Sequence, residues 1–362
     1  MERSEKDGAL LQNAVSRILR WYPGVRRPLP WRQDPTPYHT WISEIMLQQT
    51  RIDAVIPYYH RFLKELPDIP SLAAVSDDRL LKLWEGLGYY SRARNLKKAA
   101  GLLVDQYGGL LPPSAENLKK LPGIGDYTAG AIASVAFGQP EPAVDGNVLR
   151  VIMRLTACAD DIASPAVRRS VTAALRTHYP VGHDAGLLTE GLMELGETVC
   201  IPNGVPRCGD CPLSSLCRAH REERELCFPV KRAKAPRRTE EISVLLLRCG
   251  KRFAVRRRPA AGLLAGLWEF PTVNGSLSPE EVLAFAAGQG LPVIRIRSCG
   301  SAKHIFTHVE WHMTGYLLDC ETEAPGFLWR TPEEIRATVP LPTAFRYWQK
   351  MLSESNHCPE SV

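Results

Sequence analysis

Glu44 stands in the run Trp41-Ile42-Ser43-Glu44-Ile45-Met46-Leu47-Gln48-Gln49-Thr50. A carboxylate among Trp, Ile and Met loses hydration, which disfavours its charged form and raises its pKa. A carboxyl so placed stays available as a general acid near neutral pH. Asp145, in Pro142-Ala143-Val144-Asp145-Gly146-Asn147-Val148, is the second candidate. Upstream of it lies Leu121-Pro122-Gly123-Ile124-Gly125. Gly123 and Gly125 can both take positive φ, and without a Cβ they let backbone N–H groups come up to a ligand. The helix that opens at Tyr127 turns its unpaired N–H groups and positive dipole end the same way. This makes an anion site suited to a phosphodiester. A carboxylate beside a backbone-held phosphate is what chemistry on a nucleotide sugar needs. The plainer alternative, a helix–turn–helix packing corner with a capping aspartate, stays open on this stretch alone.

A second constellation is Cys200, Cys208, Cys211 and Cys217, spaced C-x7-C-x2-C-x5-C. Four thiolates that close can hold a [4Fe–4S] cluster or a zinc ion, and the spacing leaves both open. Cys158, Cys227, Cys249, Cys299, Cys320 and Cys358 are scattered and read as buried or bystander thiols. Ten cysteines without a secretory signal argue for a reducing compartment, and so for metal rather than disulfides. The expectation is a cytoplasmic, nucleoid-associated bacterial protein. With 362 residues the chain has room for two or three domains, and its charge of +6 suits a polyanion partner. No apolar run reads as a signal peptide or membrane span.

The elements that position these groups follow from pattern. Residues 8–22 form an amphipathic helix, which Pro23 and Gly24 end. Pro28 to Pro37 is a loop, with Thr36 capping and Pro37 opening the helix of Glu44. Ser114–Lys120 and Tyr127–Phe137 read as helices flanking the glycine hairpin, with Ala129, Gly130, Ala131 and Ala133 keeping the second one slim. Gly86-Leu87-Gly88-Tyr89-Tyr90-Ser91 repeats the pattern of Gly123-Ile124-Gly125-Asp126-Tyr127-Thr128 and reads as a second close-approach loop. Arg92, Arg94, Lys97 and Lys98 after it can neutralise phosphates. Residues 229–239, with Lys231, Arg232, Lys234, Arg237 and Arg238, read as a basic linker. Strand patterns then begin at Ile242–Cys249 and Arg252–Arg258, with helices at 279–287, 332–337 and 343–352. His304 to Met313 alternates like a strand.

The hairpin followed by Asp145 resembles the helix-hairpin-helix DNA glycosylase superfamily. The Trp41–Thr50 segment is similar, almost residue for residue, to MutY-type adenine DNA glycosylases. Leu263-Leu264-Ala265-Gly266-Leu267-Trp268-Glu269-Phe270-Pro271 resembles that family's Nudix-like C-terminal domain. The fold so implied is multidomain: an all-α core with a [4Fe–4S] subdomain, followed by an α+β Nudix-like domain. Residues 1–28 and 138–228 would form the cluster subdomain and 29–137 the six-helix subdomain. Residues 229–239 would be the linker and 240–354 the Nudix-like domain.

The resemblance implies removal of adenine mispaired with 8-oxoguanine or guanine in double-stranded DNA, by a monomer. Glu44 would protonate the adenine, most plausibly at N7. Asp145, ionised and with a low pKa, would stabilise the cationic sugar, braced by Tyr127 and Asn147. Arg32, Gln48, Gln49, Thr50, Gly86, Gly88, Tyr89, Gly123 and Gly125 would touch DNA. Phe306, Thr307 and His308, in place of the usual Phe-Ser-His, would read 8-oxoguanine. The four cysteines would hold a [4Fe–4S] cluster, with a first gap one residue longer than usual. Relatives that also cut the strand place a lysine where Tyr127 stands, and a phenol forms no imine, so base removal without a lyase step is expected. A Nudix hydrolase needs a downstream glutamate run that is absent here, so recognition without hydrolysis is expected. The rival readings are a bifunctional endonuclease III-like relative, a non-catalytic DNA-binding module with structural zinc, and a nucleotide-pyrophosphate hydrolase.

Overall fold

The computed structural model describes residues 2–232, 236–259 and 261–354. Ala233, Lys234 and Ala235 of the expected linker, and Cys358, lie outside the described residues. The chain divides into two compact units, Met1–Ala74 with Arg94–Ala233, and Val75–Ala93 with Lys234–Val362.

The first unit is helical. Its elements are α1 (Glu2–Val25), α2 (Pro30–Gln33), α3 (Pro37–Leu47), α4 (Ile52–Glu65) and α5 (Ile69–Ala74). After α6 (Asp77–Trp84) come α7 (Ser91–Tyr107), α8 (Ala115–Leu118) and α9 (Asp126–Phe137). Then follow α10 (Gly146–Thr156), α11 (Pro165–Arg176), α12 (His183–Glu194) with a π turn at Leu195–Val199, and α13 (Arg218–Arg221). Contrary to expectation, α1 runs through Pro23 to Val25. Proline removes only one hydrogen bond there, and the packing of Ile18 and Tyr22, both essentially unexposed, carries the helix on. α12 lies so close to α1 that a Cβ on Gly191 would come within 2.7 Å of Ile18 Cγ2. Trp31 and Arg32, expected in a loop, sit in the single turn α2, which Pro30 opens.

The slim face expected of α9 has a structural cause. A Cβ on Gly130 would stand 2.4 Å from the Pro142 carbonyl oxygen, so only glycine lets the segment leading to Asp145 lie against the helix. Thr36 caps α3 by accepting from His39 N at 3.1 Å, with Pro37 next, as the sequence predicts.

The second unit holds a seven-stranded mixed sheet: β1 (Arg238–Cys249), β2 (Arg252–Arg257), β3 (Trp268–Glu269), β4 (Thr272–Asn274), β5 (Val293–Ile305), β6 (Val309–Cys320) and β7 (Leu328–Arg330). The order is β3-β2-β1-β6-β5, with β4 pairing β1 and β7 pairing β2. β1 and β6 run parallel at the centre and the other pairs are antiparallel. β1 is buried on both faces. Val244 and Leu246 join a core with Ile335, Phe345 and Trp348 from α15 (Pro332–Thr338), a 3-10 turn and α16 (Arg346–Glu354). Leu245 and Leu247 face Val282 and Ala286 of α14 (Pro279–Gly288). That explains the unbroken apolar run in β1.

His304–Met313 is not one strand. β5 ends at Ile305, residues 306–308 turn, and β6 starts at Val309, with Phe306 N donating to Val309 O at 2.8 Å. The short turn preserves alternation on both sides, so sequence pattern alone cannot see it.

The segment with α6 belongs to this second unit. Arg257 bonds Asp78 at 2.5 Å, and Trp268 Nε1 donates to the same carboxylate at 3.3 Å. Lys82 Nζ reaches the Val339 carbonyl at 3.2 Å, and Glu85 accepts from Leu341 N at 3.0 Å.

Candidate active site

Glu44 and Asp145 line one cavity of about 180 Å³, together with Tyr127, Asn147, Arg32 and Glu190. α3 supplies Glu44, whose neighbours Trp41, Ile42, Ile45 and Met46 are buried. Glu44 is itself only 8% exposed. Burial pushes its carboxyl up to about 7, with Tyr127 opposing and the nearby Asp145 and Glu190 assisting. The Tyr127 hydroxyl donates to Glu44 Oε2 at 2.8 Å. The hydrogen bond of Tyr127 thus goes to Glu44, and not to Asp145 as expected, because α9 points its phenol at α3.

Asp145 is the N-cap of α10, with Oδ1 accepting from Val148 N at 2.7 Å. The capping role set against catalysis above is real, and it leaves Oδ2 to face Asn147 Nδ2 at 3.0 Å. The low pKa expected for Asp145 is corrected. Burial is the largest influence and raises it, outweighing the hydrogen bonds from Val148 and Asn147 and the charge of Arg150. The motif shows the donors but not the depth of the site.

Arg150 fixes Asn147. It donates to Asn147 Oδ1 at 2.9 Å, to Gly196 O at 2.6 Å and to Cys200 O at 2.8 Å. Gly196 is required here, since a Cβ would lie 2.8 Å from that of Asn147. Sequence reading missed Arg150 and also Glu190 and Glu194. Glu190 accepts from Tyr22 at 2.7 Å and Arg26 at 3.1 Å, and Glu194 pairs with Arg32 at 2.8 Å. The available signal was two carboxylates one turn apart in the apolar helix before the cysteines. Arg32 is buried and ion-paired at the cavity, so it can meet a base inside but not a surface phosphate.

The hairpin places its glycines differently from one another. Gly123 has φ +82 and a Cβ there would stand 2.8 Å from Asn95 Cβ, so the fold needs this glycine. Gly125 has φ −93, not the positive φ expected, and a Cβ would meet nothing within 4 Å. That side of the turn is open space, at the N-terminus of α9, whose dipole favours an anion. Beside the acid, Gln48 Nε2 donates to Thr128 Oγ1 at 3.2 Å, and Thr50 lines the cavity. Gln49 is exposed with φ +58, a conformation uncommon for a residue with a side chain.

In the second unit, Gly86 and Gly88 have φ +106 and +68. Tyr89 follows at φ +45, half exposed, with its hydroxyl 3.1 Å from Thr307 Oγ1. Thr307 and His308 are exposed, while Phe306 packs edge-on between His304 and Trp311. Arg92, expected among the phosphate-facing cations, is buried instead and donates to the carbonyls of Leu87 at 2.9 Å and Gly88 at 3.3 Å. It holds the loop from beneath.

Cys200, Cys208, Cys211 and Cys217 line one cavity of about 30 Å³, with Arg154 Nη1 3.3 Å from Cys200 Sγ. All four are free thiols. Burial, then the Glu225 carboxylate, push Cys208 up to about 11; burial and the neighbouring sulfurs push Cys211 to about 12 and raise Cys217. Thiols gathered, buried and unbridged are costly as anions and fit a cation that would neutralise them.

Fold and site together define a base-excision repair enzyme. The model of the HhH-GPD superfamily of base excision DNA repair proteins matches residues 42–176, and that of the NUDIX domain matches 243–350. A thermostable thymine-DNA glycosylase structure superposes with TM-score 0.53 at 28% identity, over 59% of this chain and 98% of that one. An endonuclease III–DNA complex gives TM-score 0.51 at 26% identity, over 60% of this chain and 97% of that one. Human adenine DNA glycosylase is 35% identical over 91% of this chain and 72% of its own length. The mouse enzyme is 34% identical over 96% of this chain and 81% of its own. The chain belongs to the adenine DNA glycosylase family.

Proposed function

We propose that the chain hydrolyses the N-glycosidic bond of adenine paired with 8-oxoguanine or guanine in double-stranded DNA, without cutting the strand. The observation that supports this most is Glu44, buried in a cavity with its pKa near neutrality and a carboxylate across from it. Adenine cannot be reached inside the duplex, so it leaves the stack and enters that cavity. Glu44 transfers its proton to the purine, most plausibly at N7, making the base a better leaving group. Positive charge then develops on the sugar. Asp145 faces it as the second carboxylate does in glycoside hydrolysis. Its raised pKa in the free protein falls as the cationic sugar forms, so the ionised form is stabilised most at the transition state. Glu44, now a base, accepts a proton from the water that completes the reaction. Tyr127 offers a hydroxyl, not an amine, so no imine with the sugar forms.

The open space at Gly125 and the exposed Gln49 suit the backbone and the stack of DNA. Tyr89 with Thr307 would meet the base opposite adenine, the threonine hydroxyl serving as donor or acceptor. The Nudix-like unit would recognise and not hydrolyse. Cys200, Cys208, Cys211 and Cys217 would hold a [4Fe–4S] cluster. When bound, that cluster supplies crosslinks that fix the Cys200–Cys217 loop, and with it the carbonyl to which Arg150 is tied.

The test is a single-turnover assay on a labelled duplex with adenine opposite 8-oxoguanine, half of each time point treated with alkali. Breaks only after alkali are the expected result. Breaks in both halves would overturn the absence of a lyase step, and none in either half would overturn the substrate.

A further inference from the structure

Cys208 differs from the other three cysteines in its company. It is less deeply set than Cys211 and Cys217, and it lies against two side chains outside the cysteine motif. Its Sγ is 3.7 Å from Glu225 Oε1, and the same carboxylate oxygen is 2.5 Å from His220 Nδ1. One ligand atom from each of Cys208, His220 and Glu225 thus falls within 4.8 Å of the others. Three short elements bring them together. Cys208 opens a 3-10 turn at Cys208–Asp210, His220 sits in α13, and Glu225 begins a second 3-10 turn at Glu225–Cys227.

We propose that Cys208, His220 and Glu225 form a zinc(II) site that is filled when the chain lacks an iron–sulfur cluster, the two metals competing for Cys208. Thiolate, imidazole and carboxylate are all donors zinc accepts, in the three-ligand arrangement that leaves the fourth position to water. Tetrahedral zinc would set sulfur and carboxylate oxygen roughly 3.5 Å apart, and nitrogen and oxygen roughly 3.3 Å apart. The first spacing is already present at 3.7 Å. The second needs the 2.5 Å His220–Glu225 hydrogen bond to open by less than an ångström as the ion replaces the shared proton. The His220 side chain is 41% exposed, which gives the ion a route in. Neither His220 nor Glu225 belongs to the cysteine motif, so this site concerns metal choice and not base excision.

The full chain would be purified from cells grown with limiting iron and added zinc, alongside His220→Gln and Glu225→Gln, and all three again from iron-replete cells. Expected from the iron-limited cells is one zinc per parent chain, with X-ray absorption showing one sulfur and several nitrogen or oxygen neighbours. Each variant would hold at least tenfold less zinc at equal free metal. From iron-replete cells all three would carry the brown cluster chromophore equally, which shows that the variants fold. Zinc surrounded by four sulfurs, zinc retained in full by both variants, or no zinc in the parent would each overturn the proposal. Failure to excise adenine would touch only the proposed reaction.

Discussion

Glu44→Gln should cost the enzyme its activity and make its helical unit more stable at alkaline pH. The folded-state pKa of Glu44 is raised from its ordinary 4.5 to about 7, chiefly by burial. The native state therefore holds a proton that the unfolded chain has already released. Stability falls as pH rises through that window, from 4.5 to about 7, and levels off above it. At ~1.4 kcal/mol for each tenfold change in proton affinity, the whole window is worth ~3 kcal/mol. Glutamine keeps the shape and can still accept from Tyr127, but has no charge to bury. Urea unfolding of the helical unit should thus find parent and variant close at pH 4.5 and the variant ahead by ~3 kcal/mol at pH 8. Single-turnover excision by the variant should fall by about 10²–10⁴, the usual worth of a general acid. A stability difference between the two proteins that does not change with pH would refute the reasoning, since it would mean that Glu44 is ionised in the native state across the range.

Four further outcomes follow from the same geometry. Asp145→Asn should bind mispaired duplex within about threefold of the parent in a gel-shift titration yet lose excision by 10²-fold or more, an order set by removal of one electrostatic stabiliser; near-normal excision would remove Asp145 from the mechanism. Tyr127→Phe deletes the one hydrogen bond that lowers the Glu44 pKa. Its excision rate should persist to higher pH than the parent's, and an alkaline limb moved the other way would reverse that assignment. Gly125→Ala should leave thermal stability nearly unchanged while weakening DNA binding several-fold, since its Cβ meets nothing in the protein. Gly130→Ala, which drives a Cβ to 2.4 Å from the Pro142 carbonyl, should destabilise by about 1–3 kcal/mol.

Much of the site was legible because its chemistry is local. Glu44 declared itself by apolar neighbours, and those neighbours are the ones that bury it. The cysteines declared themselves by spacing and do share a cavity. What the sequence hid depends on residues meeting across long separations. Arg150 is three residues from Asn147 but 50 from Cys200, whose carbonyl it also holds. Glu190 meets Tyr22 across 168 residues. The same limit explains the two wrong expectations at the carboxylates. The partner of Tyr127 was set by the crossing of α9 and α3, and the direction of the Asp145 pKa by depth, which hydrogen-bond donors in its own motif do not reveal. In the second unit the central strand was plain from its apolar run. β5 was not, although Ile294-Arg295-Ile296-Arg297 alternates, because its register shifts between Ser298 and Ser301 and the pattern does not carry through the strand.

Because Val75–Ala93 is covalently part of the helical half yet packs as part of the sheet-bearing unit, a cut in the linker would not set two independent proteins free. The fragment beginning after residue 235 would still be gripped by α6 through Asp78, Lys82 and Glu85. Nicked chains should therefore migrate as one particle on a sizing column and separate only in denaturant. A gene truncated at the linker would make a helical fragment with a docking helix and nothing to dock it on.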